Sequence, residues 1–293
     1  MTDPSAGWTS RFLSAPDGLR LHLRDYGDRL SPRLPVVCLP GLTRPAGDFD
    51  ALARVLVAQG RRVIAPDYRG RGLSEWDKDW RHYDVFVENA DIQAQLIALE
   101  IDRAIFVGTS RGGLHVMALA ALKPSLLHAA VLNDIGPVIE NAGLVRIRSY
   151  VGRMPLPSSY ADAVDLLKQL FGGQFTNVTE EDWETYARLT YVERDGRLAP
   201  GFDPAILKTL EALDLEAPLP VLWPQFDGLV NVPLLVLRGA NSDLLSPATL
   251  DAIVARRPRC EAHVVEGQGH APLILDAPTI ARVARFVAEV DPG

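Results

Sequence analysis

Short unbroken apolar runs, each followed by a stretch with helical spacing, set the tightest limit on how this chain folds. Val36-Val37-Cys38-Leu39 is too short for a buried helix and offers no polar side for a strand to turn to water. A strand of that kind must be covered on both faces, as in a mostly parallel sheet flanked by helices. The pattern recurs. A strand is predicted over 19–26, after the turn at Pro16-Asp17-Gly18, and a helix over 49–58 with Asp48 as its N-cap. Strands at 63–65, 104–107 and 129–132 alternate with helices at 89–99 and 111–122, the latter halted by Pro124. The fold class expected is therefore α/β.

The rhythm breaks between Gly136 and Gly228, where helical periodicity continues without strand alternation. Ala163, Leu166, Leu167 and Leu170 share one helix face there, and Trp183, Tyr186, Ala187 and Thr190 share another. The alternation resumes with a strand at 234–237, a helix at 247–255 and a strand at 263–265. A last helix ends near Val290 and carries a stripe of Ile280, Val283, Ala284 and Val287. Residues 1–135 and 229–293 are accordingly expected to form one α/β core, with 136–228 inserted as a helical cap.

Composition excludes several functions. A net charge of −7 repels a phosphate backbone, so nucleic acid is not an expected partner. No apolar run approaches the roughly 18 residues that span a bilayer. Nor does the stretch from Met1 to Ser14 read as a secretory signal, so a cytoplasmic location is expected. Cys38 and Cys260 sit in separate apolar runs and read as buried structural thiols. No phosphate-binding G-x-x-x-x-G-K-[ST], H-E-x-x-H or paired C-x-x-C occurs, so neither a metal nor a cofactor is expected. Arg256-Arg257-Pro258-Arg259 reads as a solvated basic turn.

Gly108-Thr109-Ser110-Arg111-Gly112 fits G-x-S-x-G and lies between a predicted strand and a predicted helix. A serine on such a sharp turn adopts a strained backbone, so its neighbours must lack colliding side chains. Its hydroxyl is a poor nucleophile without an adjacent base. Six histidines are available. His22, His115, His128 and His263 fall in or beside predicted elements and read as structural, and His82 as a surface or rim residue. His270 alone sits in a tight loop after the last strand, Gly267-Gln268-Gly269-His270-Ala271-Pro272, at the sheet edge where such folds build sites. The histidine needs an acid to fix its tautomer. Asp243 follows the strand at 234–237 and is preferred. Asp134, after the strand at 129–132, is the competitor. Oxyanion donors are expected from the backbone N–H of Arg111 and, in the loop Pro40-Gly41-Leu42, of Leu42.

With these residues in view, the chain resembles the α/β-hydrolase superfamily over nearly its whole length. The order Ser110, Asp243, His270 matches the family's order, and 67–74, Asp-Tyr-Arg-Gly-Arg-Gly-Leu-Ser, is similar to its D-x-R-G-x-G-x-S turn. The family usually carries His-Gly at the oxyanion loop, where this chain has Pro40-Gly41. Its dehalogenases and epoxide hydrolases carry aspartate where Ser110 stands, so those chemistries are disfavoured. The resemblance implies a serine hydrolase cleaving a small carboxylic ester or lactone through an acyl-enzyme. Carbon–carbon bond hydrolysis, perhydrolysis and a ligand receptor with little turnover use the same frame and stay open. Oligomerisation also stays open.

Overall fold

The computed structural model describes residues 7–217, 219–257 and 259–292. Of the amino-terminal stretch read above for a secretory signal, residues 1–6 lie outside the described residues, as does Pro258 of the basic turn. The sheet has eight strands: β1 (Trp8–Ser14), β2 (Arg20–Tyr26), β3 (Val36–Leu39), β4 (Val63–Pro66), β5 (Ala104–Thr109), β6 (Leu127–Asn133), β9 (Leu234–Gly239) and β10 (Cys260–Val265). Their spatial order is β1-β2-β4-β3-β5-β6-β9-β10. Pairing is antiparallel at β1/β2 and β2/β4 and parallel everywhere else.

Strand side chains alternate between two apolar clusters. Val37, Leu39, Phe106, Ala130, Leu132 and Val236 enter one, and Val36, Cys38, Ile105, Val107, Val131 and Leu237 enter the other. This is why the runs carry no polar side. On the first face lie α2 (Val85–Ala98), α3 (Arg111–Leu122) and α9 (Pro247–Arg256). On the second lie α1 (Asp50–Ala58) and α10 (Ala277–Val290), whose Ile280, Val283, Ala284 and Val287 are buried.

Between β6 and β9 come α4 (Asn141–Tyr150), α5 (Tyr160–Phe171), α6 (Glu180–Thr190), β7 (Tyr191–Arg194), β8 (Arg197–Pro200), α7 (Leu207–Glu211) and α8 (Trp223–Asp227). The segment is not purely helical, as its periodicity suggested. β7 and β8 pair as an antiparallel hairpin around Asp195 and Gly196, both at positive φ. Four-residue strands are too short to print an alternation that separates them from loop. Ala163, Leu167, Phe171, Phe175, Trp183, Ala187 and Tyr191 give this segment a small core of its own. Leu170, expected on the same face as Leu167, is 42 % exposed. Asp48 does not cap α1 either: it lies in a 3₁₀ turn and binds Arg44 instead. β1 escaped the sequence reading because its residues are mostly half-exposed at the sheet edge. Among the described residues, no helix is long and apolar enough to cross a membrane.

Candidate active site

Ser110 sits between β5 and α3 with φ of 50° and ψ of −110°, a region that non-glycine residues rarely occupy. The close packing around it explains the glycines. A Cβ on Gly112 would stand 2.0 Å from the Leu39 carbonyl oxygen, and one on Gly108 would stand 2.5 Å from the Gly112 carbonyl carbon. The Ser110 N–H donates to the Asn133 carbonyl oxygen at 3.0 Å, tying the turn to the end of β6.

The structure brings Ser110 and His270 together, with the Ser110 hydroxyl 2.8 Å from His270 Nε2. At the other ring nitrogen stands Asp134, with Oδ2 2.7 Å from Nδ1. Nδ1–H donating to the carboxylate leaves Nε2 free to accept from the serine, so these contacts select one tautomer. Asp134 is fully buried, and its carboxylate also accepts from the Gly239 N–H at 2.7 Å and the Ser242 hydroxyl at 2.5 Å. Such donors compensate the cost of burying the charge.

Asp243, expected beside His270, is not there. Arg146 of α4 takes both of its oxygens, Nε to Oδ2 at 2.6 Å and Nη2 to Oδ1 at 2.8 Å. β6 and β9 are adjacent and parallel, so their carboxyl ends present acids to the same region of space. Asp134 takes the inner place because it directly follows β6 and is drawn under the sheet edge by the Gly239 and Ser242 donors. Asp243 comes four residues beyond the end of β9, far enough to swing outward to the inserted segment. Burial raises the Asp243 carboxyl, but the Arg146 pair outweighs it and holds the group below its ordinary value. The signal for Asp134 was present in its place directly after a strand.

Four of the other five histidines have hydrogen-bond partners of their own. His22 is buried between Asp67 and Ser10, His115 faces Glu88, and His128 contacts the Val290 carbonyl. His82 lies at the surface with Asp77. Cys38 is buried, and burial pushes its thiol far up; the half-buried Cys260 thiol is pushed up to about 11. Neither lines the cleft that holds Ser110.

A cleft of about 130 Å³ opens on Ser110 and His270. Its core side includes Leu42 and Arg44, and its inserted side includes Ile147, Tyr150, Leu167, Phe171 and Tyr186. Trp183 and Phe175 pack into the insertion's own core, and Trp223 packs against the sheet cluster. Arg44 stacks on Tyr186 at 4.2 Å, binds Asp48 through two nitrogens and donates to the Thr190 hydroxyl at 2.6 Å.

Residues 36–285 match the alpha/beta hydrolase family, and the chain belongs to that family. It is 34 % identical over 282 residues to the 3-hydroxybutyrate-oligomer hydrolase of Cupriavidus necator, covering 93 % of this chain and 94 % of that protein. It is 29 % identical over 244 residues to esterase YbfF of Escherichia coli, covering 80 % of this chain and 85 % of the other. A crystal structure of an alpha/beta hydrolase from Novosphingobium aromaticivorans superposes with a TM-score of 0.87 at 39 % identity, covering 96 % and 98 % of the two chains. These relatives are hydrolases, and the chain is a hydrolase of this type.

Proposed function

We propose that the protein is a serine esterase acting on small carboxylic esters, with Ser110 as nucleophile, His270 as base and Asp134 as the acid that orients it. The observation that carries this reading is the continuous chain Ser110 Oγ, His270 Nε2, His270 Nδ1, Asp134 Oδ2, with links of 2.8 and 2.7 Å. His270 takes the hydroxyl proton as Oγ attacks the carbonyl carbon. Asp134 stabilises the imidazolium that results. The N–H groups of Leu42 and Arg111 receive the oxyanion. The tetrahedral intermediate expels the alcohol, which takes the proton from His270. Water then attacks the acyl-enzyme with His270 again as base, and the acid and free Ser110 are released. Residues 136–228 form the cap in this reading and close the cleft over the acyl group.

The cleft size supports a short acyl chain, since a cavity of about 150 Å³ holds a benzene ring. Its Arg44, Thr190 and Tyr186 give one wall hydrogen-bonding groups among apolar neighbours. That wall suits an acyl group bearing an oxygen. Esters of short hydroxy acids, the substrate class in the name of the Cupriavidus relative, fit it, and a lactone presents the same groups.

The test is a panel of aryl acetates, butyrates and octanoates, short hydroxyacyl ester oligomers and lactones. Wild type should turn over many times on short chains and label at Ser110 with a fluorophosphonate. Ser110→Ala should stay folded, take no label and lose turnover. Full turnover in Ser110→Ala, or label on another residue, would end the proposal.

A further inference from the structure

Glu88 of α2 is fully buried, and three side chains converge on its carboxylate. Arg71 Nη1 donates to Oε1 at 2.7 Å, Arg111 Nε to Oε2 at 2.6 Å, and His115 Nε2 to Oε2 at 3.1 Å. Burial raises the Glu88 carboxyl, but Arg111, Arg71 and His115 overcome it and hold the group far below its usual range. Burial also lowers His115, although the Glu88 contact opposes this. Ion groups this deep cost several kcal/mol each to desolvate, and apolar residues of similar volume would often stabilise a fold as well. A role in stability alone is thus a weak account of the cluster.

Its position gives a stronger one. Arg71 Nε donates to the Leu42 carbonyl oxygen at 2.8 Å. The Tyr68 hydroxyl donates to the Pro40 carbonyl oxygen at 3.2 Å, and the Tyr68 ring packs on His115 with centroids 4.9 Å apart. The peptides 40–41 and 42–43 are therefore both held, and between them lies the 41–42 peptide that carries the Leu42 N–H. On the other side, Arg111 spans from Glu88 to the Tyr83 carbonyl oxygen, 2.9 Å from Nη2, and its own N–H is the second donor.

We infer that Glu88 is a positioning residue that aligns both oxyanion donors, Leu42 through Arg71 and Arg111 through its own side chain. The inference rests on the reading of those two N–H groups as the oxyanion hole. It assigns Glu88 no contact with substrate.

Glu88→Gln keeps the shape but puts an amide between two guanidinium groups. Losing one oxyanion donor outright costs about 10²–10³ in kcat, so misaligning two by tenths of an ångström should lower kcat by about 30-fold. KM should stay within about twofold, since ground-state binding is not touched. A trifluoromethyl ketone, which adds to Ser110 as a tetrahedral oxyanion, should lose affinity by the same factor as kcat/KM, while a product carboxylate should bind as before. A folded variant with wild-type kcat, or a kcat loss without the matching loss of ketone affinity, would overturn the inference. If Glu88→Gln does not fold, Arg111→Lys carries the test. It keeps the charge beside Glu88 but gives up the bond to Tyr83, and wild-type kcat and ketone affinity in it would count against the inference equally. The outcomes separate the two levels of argument. Turnover in Ser110→Ala breaks the esterase reading, whereas a dead Ser110→Ala beside a normal Glu88→Gln breaks only this one.

Discussion

Asp134 and Asp243 are both aspartates that follow the carboxyl ends of neighbouring parallel strands, and they take different partners. Asp134 is fully buried and spends its oxygens on His270, Gly239 and Ser242, all parts of the α/β core. Asp243 keeps 26 % of its side chain exposed and spends both oxygens on Arg146, part of the inserted segment. The difference teaches that a strand end supplies a carboxylate but does not assign it. Depth and donors do that: an acid that must hold an imidazolium needs fixed donors and little water, while an acid that joins two parts of a surface tolerates both. The core side of the cleft thereby holds the contacts among Ser110, His270 and Asp134, and the inserted side supplies Ile147, Tyr150, Leu167, Phe171 and Tyr186 to its lining.

The sharpest way to break this comparison is to neutralise each acid in turn. Asp134→Asn should lower kcat on a fast aryl ester by about 10⁴-fold, the size found when the serine-protease aspartate that orients its histidine is changed in the same way. Asp243→Asn should leave kcat within about threefold. Steady-state kinetics on both variants, with circular dichroism as a check on folding, decides it, and reversed effects would return the acid's role to Asp243.

A second pair of changes tests the inserted side. Trp183 is 5 % exposed and packs among Phe175, Ala187 and Tyr191 rather than in the cleft. Truncating a buried ring of that size costs about 3–5 kcal/mol. Trp183→Ala should therefore lower the melting temperature, with relative kcat/KM across acyl lengths little changed where the variant is folded. Tyr186 lines the cleft, and Tyr186→Ala should instead shift preference between acetate and butyrate esters by about 1–3 kcal/mol. Equal losses for all substrates in Tyr186→Ala would make the inserted segment a packing layer rather than a determinant of substrate.

The division between what could and could not be read in the sequence follows the same physics. Buried parallel strands advertise themselves, since a run such as Val36–Leu39 has no polar alternative, and the elbow glycines are dictated by a Leu39 oxygen 2.0 Å from any Cβ at Gly112. Ser110 and His270 were singled out because each sits in a tight loop beside a predicted strand, and the structure brings them within hydrogen-bond distance. The aspartate that meets His270 was not, because Asp134 and Asp243 both satisfy the rule of following a strand, and what separates them is a hydrogen bond from Ser242 and an ion pair to Arg146, contacts at sequence separations of 108 and 97. Glu88 left no trace at all. An acid in a helix reads as a solvated residue until Arg71 and Arg111 are seen to converge on it.

The smallest expected effect concerns what Asp243 does instead. Its pair with Arg146 joins the loop after β9 to α4, the helix that supplies Ile147 and Tyr150 to the cleft. Both partners are about a quarter exposed, so water and salt weaken the attraction, and a pair of this kind contributes about 0.2–1 kcal/mol. The Asp243 carboxyl is held below its ordinary value in the folded chain, despite burial that raises it, because Arg146 favours the charged form. A depressed folded value means the unfolded chain binds the proton first as pH falls, so the contribution is present above an unfolded carboxyl pKa of about 3.9 and is lost as pH drops through the folded value. Asp243→Asn should therefore lower the melting temperature by about 1–3 °C at pH 7. That gap to wild type should close as pH falls below about 4, and it should narrow at pH 7 in 1 M salt, where charges are screened beyond about 3 Å. A gap that persists unchanged at pH 3 and in high salt would mean that Asp243 acts through packing, and the ion pair would then not be what joins the insertion to the core.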